Sequence, residues 1–211
     1  MGFSKIAVST RISNRPVELT ECNLCDLSKE LPDHETWLSE FGLNAILLTN
    51  PPNDGSRPLD FRFFQTRRIS LAADSYSSAR TRILRHLASK GTTWTNYYFA
   101  VGHLENALGC LYQVIDLSHK ARLKSQTKAV PTKFFEKGDG TVLDRLNSIY
   151  NSSKHDSKVG SDSIWLTNSG IECVRKNTDE MHTSLSYLEF EEILKKVALA
   201  VVSGNRPPKE K

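Results

Sequence analysis

Long hydrophobic runs are missing from this chain. Its longest apolar stretches, such as residues 197–202, fall far short of the roughly 20 residues a membrane-crossing helix needs, so no membrane-spanning segment and no membrane partner are expected. The N-terminus, MGFSKIAVS, lacks the unbroken apolar core of a secretory signal, and Ile6 stands where an N-myristoylation pattern needs Ser or Thr. The expected address is therefore the cytoplasm. No P-loop, dinucleotide-binding glycine fingerprint or nucleophile elbow occurs, which removes the commonest phosphate cradles and the serine-hydrolase frame.

Cysteine is scarce, with Cys22, Cys25, Cys110 and Cys173 alone. Cys22 and Cys25 form one C-x-x-C, but tetrahedral zinc needs a second pair or two histidines at compatible spacing. No strand followed by a helix frames the pair as a redox motif. Unpaired thiols are the expectation, with no metal and no cofactor, and Cys110 falls in an apolar helical stretch as small core filler. The balance of 28 Lys and Arg against 24 Asp and Glu leaves +4, which permits contact with nucleic acid without implying it.

What is present is an ordinary globular composition: 211 residues, enough for one domain with an elaboration but not for two large ones. Residues 1–70 differ from the rest. Short β-prone runs (KIAVSTRI, NAILLT, DFRFF) are broken by Pro16, Pro32, Pro51, Pro52, Gly55 and Pro58, and HETWLSEFG offers one or two helical turns. An irregular, partly β elaboration follows, with Arg57, Arg62, Arg67 and Arg68 on a solvated surface.

From residue 71 the apolar period becomes helical. Tyr76, Ala79, Ile83 and Leu87 step by three and four, with Gly91 placed to stop the helix. Over residues 92–120, Tyr97, Val101, Leu104, Leu108, Leu111 and Ile115 form a 4-3-4-3-4 seam of the kind that packs antiparallel helices. After a linker broken by Pro131 and Gly138, a third helix starts near Thr141. "SIWLTNSGIECV" then has the composition of a β-hairpin turning at Asn168, Ser169 and Gly170, with Trp165 as an anchor onto the bundle. Ser186 and Glu189 make a capping box for a last helix whose stripe is Phe190, Leu194, Val197 and Val201 and whose end is Gly204. The expected fold is mainly α: a four-helix up-and-down bundle over residues 71–203, with the irregular partly β region 1–70 before it, a small β-hairpin before the last helix and a disordered tail over 204–211.

The third helix, "RLNSIYNSSKHDS" and the residues before it, carries the candidate chemistry. At about 100° per residue, Val142, Leu143, Leu146, Ile149 and Tyr150 share one face, and Asp144, Ser148, Asn151 and His155 line up on the other. Arg145 lies at one edge of that stripe and Lys154 on the other flank. His exchanges protons near neutral pH, Asn orients a phosphate or hydroxyl, and Arg or Lys stabilises an anionic transition state. His155, Asn151 and Arg145 are the catalytic candidates, and Lys154 and Ser148 the substrate-binding ones. The same stripe also serves as the solvated side of a helix, with Asn and His near its C-terminal end suiting the helix dipole. His103 is expected to be structural, and His34, His86, His119 and His182 to sit at the surface or at helix ends.

"LNSIYNSSKH", behind the aromatic-rich helix "NYYFAVGHLENALGCLYQVID", resembles the HEPN superfamily, helical bundles widespread in prokaryotic toxin-antitoxin and defence systems. The resemblance covers residues 71–203. It implies an arginine, a polar residue that is often Asn, three or four variable residues and a histidine. Active members are thought to form a metal-independent ribonuclease site with them, often across a homodimer. Asn151 takes the polar position and His155 the histidine, while the arginine position falls on Tyr150, which has no fixed positive charge. Two functions follow as expectations: a dimeric binding or regulatory module, or a ribonuclease in which Arg145 or Lys154 replaces the missing cation. Expected partners are a second copy of the chain, RNA, and a protein met through residues 1–70.

Overall fold

The computed structural model describes residues 19–31, 58–90, 94–125, 133–155, 162–175 and 182–204. KIAVSTRI, HETWLSEFG, NAILLT and the tail after Gly204 lie outside them, as do Gly91 and His34. Among these described residues, four helices and one small sheet follow in the order α1 (Pro58–Ala88), α2 (Trp94–Ser125), α3 (Val142–His155), β1 (Asp162–Leu166), β2 (Gly170–Arg175), β3 (His182–Ser186) and α4 (Tyr187–Gly204). No described helix is long and apolar enough to cross a membrane.

The first helix begins at Pro58, well before the expected onset at residue 71, and DFRFF belongs to it rather than to a strand. Proline suits a first helical turn because its absent N–H has no partner to lose there. The helix ends at Ala88, before Gly91. Lys90 turns into the left-handed region (φ 53°) and donates its N–H to the Leu87 carbonyl at 2.8 Å, the terminating role expected of a glycine.

The two long helices, α1 and α2, form an antiparallel hairpin. Gln65 donates to Ser118 at 2.6 Å at one end, Asn106 to Ser75 at 2.6 Å in the middle, and Arg82 to Asn96 at 3.2 Å at the other. The core seam of α2 is broader than spacing alone predicts. Tyr97, Leu104, Leu108 and Leu111 are buried as expected, but the deepest row also includes Ala100, Ala107 and Val114, while Val101 and Ile115 are only half-buried. Ala72 and Ala79 of α1 and Ala100 and Ala107 of α2 are all fully buried. His86, expected at the surface or at a helix end, lies in the last turn of α1 and is buried there against Trp94 and Tyr97 with ring centroids 5.7 and 5.6 Å away.

The sheet has three strands, one more than the expected hairpin, antiparallel in the order β1-β2-β3. Its third strand, HTSLS, is short and mostly polar, so it carries little strand signal. Leu166, Ile171, Cys173 and Leu185 are its buried residues, and Trp165 packs against the core as predicted. Helix α3 lies between α2 and this sheet, and α4 packs on α1 and α2. The capping box at α4 is formed: Glu189 N donates to Ser186 Oγ at 3.2 Å and Ser186 N to Glu189 Oε2 at 3.0 Å.

Residues 19–31, with no helix or strand of their own, lie as a strap against this body. Leu19, Leu24 and Leu27 are buried in the common core. All four cysteines are free thiols, with Cys110 and Cys173 buried, Cys22 half-buried and Cys25 exposed.

Candidate functional site

Helix α3 starts on a built N-terminus. Thr141 Oγ1 accepts the Asp144 N–H, and Asp144 Oδ2 accepts the Gly140 N–H, both at 3.3 Å, a reciprocal cap that satisfies two otherwise orphaned donors. Gly138 and Gly140 supply the positive φ angles (83° and 70°) of the turn leading in. Asp144 is thereby buried and committed to the cap, so it does not belong to an exposed stripe.

The apolar face docks inward as the spacing predicts. Leu146 and Ile149 are fully buried, with Val142, Leu143 and Tyr150 packed half-buried against the core. Because the helix is sandwiched, its polar residues divide into two groups instead of facing water together.

Arg145 belongs to the side facing the sheet and α4. Its Nη1 donates to the Ser184 carbonyl at 2.9 Å and to Glu189 Oε2 at 3.2 Å, and its Nη2 donates to Glu189 Oε1 at 2.5 Å. This is a two-pronged guanidinium–carboxylate pair, and the carboxylate it holds is the one that caps α4. The Arg145 hydrogen bonds, opposed by partial burial and reinforced by those from Ser186, hold the Glu189 carboxyl below its usual range. Arg145 Nε is buried and meets no partner among the described residues.

Asn151 belongs to the side facing α2. It donates to Asn147 Oδ1 at 3.1 Å, and the same oxygen accepts from the Tyr112 hydroxyl of α2 at 3.1 Å. Tyr150 stacks on Tyr112 with centroids 4.1 Å apart and planes 15° from parallel. Phe134 meets Tyr112 edge-on at 5.2 Å, and His119, expected at the surface or at a helix end, is half-buried 6.2 Å from Phe134. Burial raises the Tyr112 phenol above its ordinary pKa, so it remains a donor across the neutral range.

The expected site residues are thus distributed as follows. Arg145 and Asn151 point to different neighbours and do not touch, Ser148 is half-buried between them, and Lys154 and His155 occupy the last turn of the helix, where their side chains lie outside the described residues. Spacing missed Asn147 and Tyr112, and it placed Glu189 in the cap of α4 without its pairing to Arg145. Asn147, buried on the arc between Tyr150 and Asn151, was the one visible sign, since a buried amide requires a partner.

Among the described residues no group of three or more His, Cys, Asp and Glu side chains is placed to hold a metal ion. Compared with protein-family models, with curated proteins and with solved structures, the chain matches none.

Proposed function

We propose that the chain is a HEPN-like up-and-down helical bundle of prokaryotic type that works in the cytoplasm as a dimeric binding or regulatory module, without strong catalysis of its own. The observation that carries this reading is the commitment of Arg145. It is held by Glu189 and by the Ser184 carbonyl, in the cap of α4, and is not directed at Asn151. Tyr150, at the position where the family's arginine falls, is stacked on Tyr112. A ribonuclease of this kind needs a cation near the imidazole to stabilise the developing phosphorane charge, and neither residue supplies one.

The alternative, metal-independent RNA cleavage by His155 and Asn151 with Lys154 as the cation and Ser148 as a substrate contact, is favoured by the common side of α3 that Ser148, Asn151 and His155 share, with Lys154 on the adjoining flank. Purified chain incubated with a mixed single-stranded RNA in EDTA decides between them. The expected outcome is intact RNA for wild type and for His155→Ala alike. Cleavage by wild type that His155→Ala abolishes, with the circular-dichroism spectrum unchanged, establishes the nuclease instead. Light scattering on the eluting peak checks the dimer, expected as twice the 23.7 kDa chain mass.

A further inference from the structure

The strap of residues 19–31 is held in an unusual way. Among the described residues, none of its backbone groups pairs with backbone of the helices or sheet; side chains of the body do that instead. Asn168, on the β1–β2 turn, accepts the N–H groups of Thr20 at 2.8 Å and Glu21 at 3.3 Å on its Oδ1, and its Nδ2 donates to Thr20 Oγ1 at 2.7 Å. The Asn168 carbonyl accepts from Asn23 Nδ2 at 2.9 Å. Arg80 Nε of α1 donates to the Leu24 carbonyl at 3.0 Å. Glu191 of α4 accepts the Cys25 N–H at 3.0 Å. Leu19, Leu24 and Leu27 enter the core, whereas Thr20, Glu21, Asn23, Cys25 and Asp26 face outward. At the far end Lys195 pairs with Glu30. Fixed side chains for the backbone and pockets for selected apolar side chains are the means by which proteins receive extended peptides.

Glu191 is a second, independent sign. It is 1 % exposed, and a carboxylate persists at such depth only with donors around it. Its donors are the Tyr76 hydroxyl, for which the Cys25 carbonyl is a second acceptor 3.3 Å away, and the Cys25 N–H. When the strap leaves, Glu191 loses a main-chain donor that another extended chain in the same place restores.

We propose that Tyr76, Arg80, Asn168 and Glu191 line a peptide-recognition groove, that residues 19–31 occupy it as a displaceable latch, and that its partner is a segment carrying the same pattern and turning after its third leucine, as the strap does where Glu30 and Leu31 donate to the Leu27 carbonyl at 3.0 Å. That pattern is Leu-x4-Leu-x2-Leu with an acidic residue three positions further on to meet Lys195. The groove uses no residue of α3, so the RNA experiment and this one succeed or fail separately.

A tethered latch competes with free peptide at an effective concentration on the order of millimolar, so the test weakens the latch and leaves the groove intact. Thr20→Pro deletes the N–H held by Asn168; Leu24→Asp with Leu27→Asp removes two anchors. A dye-labelled synthetic peptide of residues 19–31 is titrated under reducing conditions into full-length wild type and both variants, and anisotropy is read. Saturable one-to-one binding is expected in the variants, about tenfold or more tighter than in wild type. It is lost when Asn168→Ala is added and when the peptide order is scrambled. Circular dichroism identifies the folded variants, and Thr20→Pro, the milder change, carries the test if the double aspartate variant unfolds. Absence of binding in a folded latch variant, or binding indifferent to Asn168 or to leucine order, overturns the proposal.

Discussion

The Tyr97 hydroxyl is buried in the core and serves both main-chain groups of one residue. It donates to the Leu166 carbonyl at 3.2 Å and accepts the Leu166 N–H at 2.9 Å, tying β1 to α2. Burial pushes its pKa up to about 12, so the phenol keeps its proton and both roles at any neutral pH. Tyr97→Phe keeps the ring and orphans two buried backbone groups; the expected loss is about 1–3 kcal/mol in urea unfolding, with an unchanged denaturant slope. Gly170 has less tolerance still. A Cβ there would lie 2.2 Å from the Leu185 carbonyl oxygen of the paired strand, so Gly170→Ala is expected to lower the melting temperature more than Tyr97→Phe does, or to prevent folding. Helical spacing placed Tyr97 in the seam correctly but says nothing of its oxygen, because the partner is 69 residues away. His86 escaped for the same reason: the rings that cover it belong to α2, and no pattern within α1 reports them.

At the scale of elements, caps and stripes were the legible features. Ser186 with Glu189 marks the start of α4, and the Leu146 and Ile149 face of α3 docks as its periodicity requires. The aromatic run 60–64 was not legible as helix. Its β-prone composition is overruled by continuity with α1, whose Gln65 reaches Ser118 of α2 and whose Arg68 lies 5.0 Å over the Phe64 ring one turn earlier. Nor was the link between the two capped helices legible, since the Arg145–Glu189 pair joins residues 44 apart. That pair has a pH signature. The folded-state carboxyl of Glu189 lies below its ordinary value of 4.5, so its contribution is fully present above that value and is lost as the pH falls further. Thermal unfolding of wild type and Glu189→Gln is expected to differ most near pH 7 and to converge below pH 4.5. A double-mutant cycle with Arg145→Met should return a coupling of about 1 kcal/mol, reduced by salt because both side chains keep some exposure.

For the whole molecule, one core runs through the strap, the sheet and all four described helices. Leu24 of the strap, Ile83 of α1, Leu104 of α2, Ile149 of α3, Ile171 of β2 and Phe190 of α4 belong to a single cluster. Tryptophan fluorescence read in a Trp37→Phe chain, where it samples Trp94 at the start of α2 and Trp165 in β1, should therefore follow the same urea transition as helix content read by circular dichroism. Two separated midpoints would show that the α1–α2 hairpin and the sheet with α3 melt as different units.

Ser186 closes β3 and Tyr187 opens α4, with no residue between them to act as a joint. The Tyr187 N–H is also held by the Ser169 carbonyl at 3.2 Å, and its hydroxyl by Thr167 at 2.8 Å. A tilt of α4 therefore turns the sheet with it. Tension applied along the helix reaches the ladder between β2 and β3 directly, which makes that ladder the molecule's mechanical grip.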